Sequence, residues 1–285
     1  MNLGEYLEKW GSRVEAELDM IVPGEEQVPA TIYRAMRYSL FSGGKRLRPV
    51  MTIAAAEAVG GDPEIALRPS CAVELVHTYS LIHDDLPCMD DDDFRRGKPS
   101  SHKVFGEAVA VLAGDALLTY AFEVLSSCTG ISHERVVRAV RELAKGAGPA
   151  GMVGGQVLDM ELTGQVIDEE WVIEVHRRKT AALFQAAVAV GGIVGGGSEH
   201  DVERLKSYAQ SFGRAYQIAD DIVDDPRERG TGKPTYPSVL GIDVSRLRAL
   251  EEVGRCRMYL EPFGQRAWVL NALAEAIAER ACRGD

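Results

Sequence analysis

"LIHDDLPCMDDDDFRRGKPS", residues 81 to 100, places six carboxylates within the ten positions from Asp84 to Asp93, directly behind an apolar run. Like charges this close repel, and a run of charge is ordinarily a solvated face. Upstream, His77, Ser80, Leu81 and Asp84 fall at i, i+3, i+4 and i+7, so the stretch reads as an apolar helix that ends in acids near Pro87. Acids concentrated at the end of a core helix point to a bound cation that relieves their repulsion.

Helical periodicity continues on both sides of this stretch. It runs over roughly 2–19, 27–41, 47–59, 65–86, 107–127, 133–145, 168–194, 199–225, 238–260 and 266–281. The breaks between these segments carry Gly and Pro: "PGEE" at 23, "GGDP" at 60, "GAGPAG" at 146 and "DDPRERGTGKP" at 224. Alternating strand-like runs are nearly absent and no break is long enough to be an interdomain linker. The pattern predicts an all-α chain in which residues 1–285 form one domain around long central helices.

Composition narrows the function. Hydrophobic residues make up 46% of the 285, enough for a large core, and a net charge of −11 argues against a general nucleic-acid binder. Five cysteines without a CxxC pair suggest neither a disulfide framework nor a zinc site, and fit a reducing cytoplasm. The polar opening "MNLGEYLEKW" does not read as a signal peptide. "AALFQAAVAVGGIVGGG", 181–197, is the most apolar stretch, but it is short and rich in Ala and Gly, which suits a buried core helix better than a membrane span.

A second acidic cluster lies in "AYQIADDIVDD", 215–225, where Gln217, Asp220, Asp221 and Asp224 share one helical stripe. A solvated amphipathic face would give the same stripe. Two such clusters in one chain favour Mg²⁺, a hard cation that takes oxygen ligands and bridges diphosphate oxygens. Cations complete the set. "SGGKRLRP", 42–49, sets Lys45, Arg46 and Arg48 after a Gly pair at a helix start, and Arg95 and Arg96 follow the first acidic run. Two diphosphate substrates are the simplest common cause.

With these residues in place, the chain resembles the trans-isoprenyl diphosphate synthases, and among them the bacterial farnesyl and geranylgeranyl diphosphate synthases. The resemblance spans about residues 25–280 and rests on "GGKRLRP", "ELVHTYSLIHDDLPCMDDDDFRRGKPSSH", "AGDALL", "GGQVLDM", "HRRKTAAL", "FGRAYQIADDIVD" and "GKPTYP", in this order. It implies an isoprenoid-synthase-type helical bundle around a central cavity, usually a homodimer, with three Mg²⁺ ions clamping the allylic diphosphate. It assigns Asp84, Asp85 and Asp90 to a first metal site and Asp220, Asp221 and Asp224 to a second. Lys45, Arg48, His77 and Arg96 match the pocket for isopentenyl diphosphate. Arg95, Lys179 and Lys233 match positions that hold the allylic diphosphate, with Thr180 and Gln217 beside the developing carbocation. By spacing alone, His77 on an apolar helix would be a core residue; the resemblance moves it to the site. Gln156 is not placed in the site by this reading.

The implied reaction is ionisation of the allylic diphosphate, attack by the isopentenyl double bond, and loss of a proton to the departing diphosphate. One departure from the pattern stands out. Only "DPRERGTGKPTYP" follows the second acidic motif, so the extra Lys and Asp of the resemblance are missing; either Arg227 or Arg229 substitutes, or closure over the allylic diphosphate is weakened. In the resemblance an aromatic at Tyr79, next to Ser80, together with Pro87 and Cys88 goes with a fifteen-carbon product and a smaller residue with twenty. The expectation is therefore farnesyl diphosphate, with geranylgeranyl diphosphate as the alternative, and a non-catalytic partner subunit as a remoter one.

Overall fold

Residues 1–165, 168–228 and 235–283 are described by the structure, a computed structural model. Helix α1 (Leu3–Ile21) starts at a capping box in which the Asn2 side chain accepts from Glu5 N–H and Glu5 answers to Asn2 N–H. It lays Tyr6, Trp10, Val14 and Leu18 on the core, one residue per turn. Helices α2 (Ala30–Leu40) and α3 (Leu47–Ala58) follow, then α4 (Leu67–Asp84), buried on nearly every side. A two-residue hairpin, β1 (Phe94–Arg95) with β2 (Lys98–Pro99), leads through α5 (Ser101–Phe105) into α6 (Glu107–Ser126) and α7 (His133–Ala147).

The second half contains α8 (Met152–Leu162), α9 (Glu169–His176), a π-helical turn over Arg177–Ala181, and α10 (Ala182–Val194). It continues with α11 (Glu199–Glu228), α12 (Tyr236–Leu240), α13 (Ile242–Leu260) and α14 (Trp268–Arg283). Helices α4, α10 and α11 form the centre: α4 packs along α6, α10 lies between α3, α7 and α11, and α13 covers α11. One contiguous apolar core runs through these helices.

Glycine sets the closest approaches. A Cβ at Gly191 of α10 would stand 1.9 Å from the Thr52 carbonyl of α3, so the two backbones meet only because that atom is missing. This close packing explains the stretch 181–197: α10 is the buried core helix its composition suggests, not a span. Among the described residues the helix long and apolar enough to cross a membrane is instead α6, by length and composition only. Its Ala110, Ala113, Gly114, Leu117 and Ala121 are buried, as in a core helix packed on α4.

The predicted helices are present within a few residues of their expected ends. Helix α8 has no counterpart among the expected helices; it carries Gly154 and Gly155, each of which costs about 1 kcal/mol against Ala in a free helix. In the fold a Cβ at Gly155 would lie 2.1 Å from Lys179 N, so α8 needs that glycine to lie against the π turn. Tertiary contact here outweighs propensity.

Candidate active site

After Asp84 the helix stops and the chain doubles back. Asp90 N–H donates to the Asp84 carbonyl at 2.9 Å, and Met89 and Asp91 N–H both donate to Leu86 C=O. The turn thus returns Asp90 to Asp84. The two carboxylates of the Asp84–Asp85 pair diverge, since successive residues on a helix point about 100° apart. Asp85 is 2% exposed and accepts from Arg95 Nε at 2.8 Å. Asp84 borders the central cavity, and its carboxyl is pushed up to about 6, chiefly by burial; Lys179 opposes the shift and Asp90 adds to it.

The second cluster repeats this division. Asp221 is 4% exposed and accepts from Gln217 Nε2 at 2.9 Å and from Tyr236 N–H at 3.0 Å, with His176 Nε2 at 3.6 Å. Burial raises its carboxyl to about 7 against those donors. Asp220, one step around the helix, pairs with Arg280 of α14; burial raises it to about 6, and Asp224 pushes the same way. Three carboxyls raised chiefly by burial, Asp84 at the end of α4 and Asp220 and Asp221 within α11, hold negative charge that a cation would stabilise.

Four cations at and around the start of α3 take different roles. Gly43 and Gly44 have φ of +102° and +126°, and a Cβ at Gly44 would strike the Arg96 guanidinium at 2.7 Å. Arg96 therefore lies flat on this loop and donates to Gly43 C=O. Arg46 turns inward, 3% exposed, onto Glu74 at 2.7 Å and the Leu40 carbonyl at 2.6 Å, and so anchors the loop. Lys45 stays exposed. Arg48 sits over the Phe184 ring at 4.3 Å with His77 Nε2 at 3.3 Å from its Nη1, and its buried Nε has no partner. Burial and then the charges of Arg48 and Arg96 hold His77 well below the usual imidazole range, so it is neutral at pH 7.

Opposite, the π turn carries Lys179 and Thr180. A π turn adds one residue to the helix and re-aims the side chains on it. Lys179 Nζ reaches Asp159 Oδ2 of α8 at 2.5 Å, while Thr180 Oγ1 donates to Gln217 Oε1 at 2.8 Å. Gln217 in turn holds Asp221, so a hydrogen-bonded chain runs from the π turn to the second acidic cluster. Arg95, expected on the allylic side, spans Asp85 and Asp92, the latter at 2.8 Å. Lys233, Arg227 and Arg229 lie outside the residues whose side chains the structure describes.

A cavity of about 520 Å³ lies between α4, α6, α8 and the π turn. Arg48, His77, Asp84, Lys179 and Thr180 supply its polar end, and Val111, Met152, Val153, Val157 and Met160 its apolar wall. Such a volume, mostly apolar with a few convergent polar groups, suits a small-molecule ligand with a polar head. On α4 the lining reaches Tyr79 and Ser80. The Tyr79 ring is 5% exposed and stands edge-on to His83, 5.7 Å between centroids. His83 is seated because Gly114 of α6 has no Cβ; one there would lie 2.1 Å from its Nε2.

Three participants escaped the sequence reading. Asp159, which grips Lys179, lies within the quoted "GGQVLDM" and its carboxylate spacing from Gln156 was the available signal. Gln156 itself lines the cavity with both amide atoms buried and unpartnered, the condition of a group waiting for a ligand. Arg280 comes from a helix with no motif, and nothing local marks it.

Comparison with known proteins agrees with this geometry. The model of the polyprenyl synthetase family matches residues 29–237. The large subunit 1 of a heterodimeric geranylgeranyl pyrophosphate synthase from Arabidopsis thaliana is 51% identical over 82% of this chain and 67% of its own length. A dimethylallyltranstransferase from Fischerella ambigua is 41% identical over 98% of this chain and 84% of its own. Among solved structures, an FPP/GFPP synthase from Zymomonas mobilis superposes with a TM-score of 0.91 at 38% identity, covering 97% of this chain and 99% of the other.

Proposed function

Because the chain belongs to the polyprenyl synthetase family, we propose that it elongates allylic diphosphates with isopentenyl diphosphate and releases geranylgeranyl diphosphate as its main product. The chain is a trans-isoprenyl diphosphate synthase. The observation that carries the assignment is Asp84, Arg48 and Lys179 at the polar end of an apolar cavity, with the second acidic cluster tied to the same π turn through Thr180 and Gln217.

Asp84, Asp90, Asp220 and Asp224 are the metal-facing acids in this reading. Asp85 and Asp221 stand behind them and fix Arg95 and the turn into α12. An all-carboxylate donor set with raised acids fits Mg²⁺, which takes oxygen ligands and keeps several waters. Three ions are expected with substrate bound; their chemistry is to neutralise the diphosphate as it leaves. Lys179, fixed by Asp159, places a further positive charge there, and Arg95 flanks the same side. Arg48, Arg96, Lys45 and neutral His77 form the second anion pocket, where isopentenyl diphosphate sits with its double bond toward the allylic carbon. Thr180 and Gln217 put oxygen atoms near the carbocation, and the apolar wall excludes water that would quench it.

The twenty-carbon product is supported by relatives such as the Capsicum annuum and Arabidopsis thaliana proteins named geranylgeranyl pyrophosphate synthases, 45% and 46% identical. Tyr79 favours a second reading, farnesyl diphosphate, because its bulky ring lines the α4 side of the cavity five residues before Asp84. Exposed Leu112 on α6 supports a homodimer, and five free cysteines support a reducing compartment such as the cytoplasm. Incubation with labelled isopentenyl diphosphate, an allylic diphosphate and Mg²⁺, followed by chain-length analysis, is the test. A twenty-carbon main product supports the proposal, fifteen carbons supports the second reading, and no product sinks both.

A further inference from the structure

Beyond the cavity, the segment that leaves the first acidic motif folds back on itself at a place no step above uses. Asp91 and Asp93 project from the turn, and His102, the second residue of α5, lies beneath them. One ligand atom from each of the three comes within 4.8 Å of the others. His102 is only 6% exposed, and neither of its ring nitrogens has a hydrogen-bond partner. Leaving both nitrogens of a buried imidazole orphaned is costly, so something is expected to meet at least one of them. Two carboxylates and one imidazole at one point are a metal donor set.

We propose that Asp91, Asp93 and His102 form an accessory site for a divalent transition-metal ion, separate from the carboxylate-only sites of the cavity. The imidazole selects the class: Mg²⁺ takes oxygen, whereas Mn²⁺, Fe²⁺ and Zn²⁺ accept nitrogen together with carboxylate. Donors around a tetrahedral ion with bonds of about 2.1 Å stand about 3.4 Å apart, so the three must close by up to roughly 1.4 Å. Both acids are exposed and free to swing inward, while the imidazole is held in place. Lys103 pairs with one Asp93 oxygen at 2.6 Å, but a carboxylate has two oxygens and about four lone-pair positions, so the pair does not exhaust it. An ion here ties α5 to the turn and braces the hairpin that presents Arg95 and Arg96. Its failure would leave the catalytic reading untouched, since no residue of the three touches the cavity.

The probe is Mn²⁺ alone, added to the metal-stripped full chain without substrate and followed by pulsed electron paramagnetic resonance for ¹⁴N coupling. The proposal expects one nitrogen-coupled Mn²⁺ per chain. The coupling should persist in the Asp84→Asn/Asp220→Asn double variant, whose cavity sites are disabled, and disappear in His102→Gln. Should His102→Gln fail to fold by circular dichroism, Asp91→Asn/Asp93→Asn decides alone, because both acids are exposed and dispensable for packing. Wild-type enzyme without ¹⁴N coupling, or coupling that survives in any folded variant lacking His102 or the two acids, overturns the site.

Discussion

Replacing Tyr79 by Ala removes a ring from the α4 wall of the cavity and lengthens the product. Tyr79 lies five residues before Asp84, so its Cα is about 7.5 Å along the helix from the acid that faces the diphosphate. The side chain tilts further toward the helix N-terminus, and no α4 residue before His77 lines the cavity. A chain that must stop at the ring can, once it is gone, bury one further five-carbon unit. At about 0.8 kcal/mol per buried methylene that is about 4 kcal/mol, or close to a thousandfold shift in the balance between elongation and release. The variant loses stability as well. Removing a buried ring costs about 3 kcal/mol, near the lower end for aromatic-to-Ala changes because one face already borders open space, and the edge-on contact with His83 goes with it. The assay is chain-length analysis of products at limiting allylic substrate, with circular dichroism confirming the fold. A folded variant with an unchanged product distribution would falsify the wall assignment, whichever length the wild-type enzyme makes.

Asp84→Ala and Asp220→Ala should each lower kcat by about a hundredfold or more while leaving helicity intact, because neither acid packs in the core; near-normal turnover at saturating Mg²⁺ in either would refute their role. Arg48→Ala should raise the KM for isopentenyl diphosphate by about 10–100-fold, the worth of a charged hydrogen bond, with little change for the allylic substrate. Lys179→Ala should do the reverse, and equal effects on both substrates from both changes would dissolve the two-pocket division. Asp84, Asp220 and Asp221 are raised above 3.8 in the fold, to about 6, 6 and 7. The folded chain therefore binds more protons than the unfolded one between pH 4 and 7, and their contribution to stability is largest at low pH and lost as pH rises through 6 to 7. Buried neutral His77 and His176 pull the other way, so the check is a difference: relative to metal-free wild type, metal-free Asp84→Asn/Asp220→Asn should lose stability at pH 5.5 compared with pH 8, and an unchanged pH dependence of Tm would contradict the assignment.

The helices were legible because their burial follows one period: Tyr6, Trp10, Val14 and Leu18 give the core face of α1 without reference to any other element. Helix α8 was not, since its Gly155 answers to the Lys179 backbone across the fold, where a Cβ would stand 2.1 Å from Lys179 N. The same distinction runs through the site. The acidic motifs and the Gly43–Gly44 loop are local and could be read, whereas Arg280 on Asp220 joins residues sixty positions apart. His83 on Gly114 is likewise visible only once two helices are packed.

The paired aspartates lie between these cases. Each pair, Asp84–Asp85 and Asp220–Asp221, looks like two equivalent ligands in the sequence. On a helix, two successive side chains cannot both face one cleft, so one of each pair has to turn toward the protein. In both pairs it is the second: Asp85 meets Arg95, and Asp221 meets Gln217 and the Tyr236 amide. That the inward acid is the C-terminal member depends on where each helix is rotated in the core, which the local pattern does not contain. The division has a physical use. The outward acid can give up solvent for a cation, while the inward one, satisfied by two or more donors, holds the flanking cation or turn in place for it. A doubled aspartate thus supplies a ligand and the support that aims its surroundings, from adjacent positions on a single turn of helix.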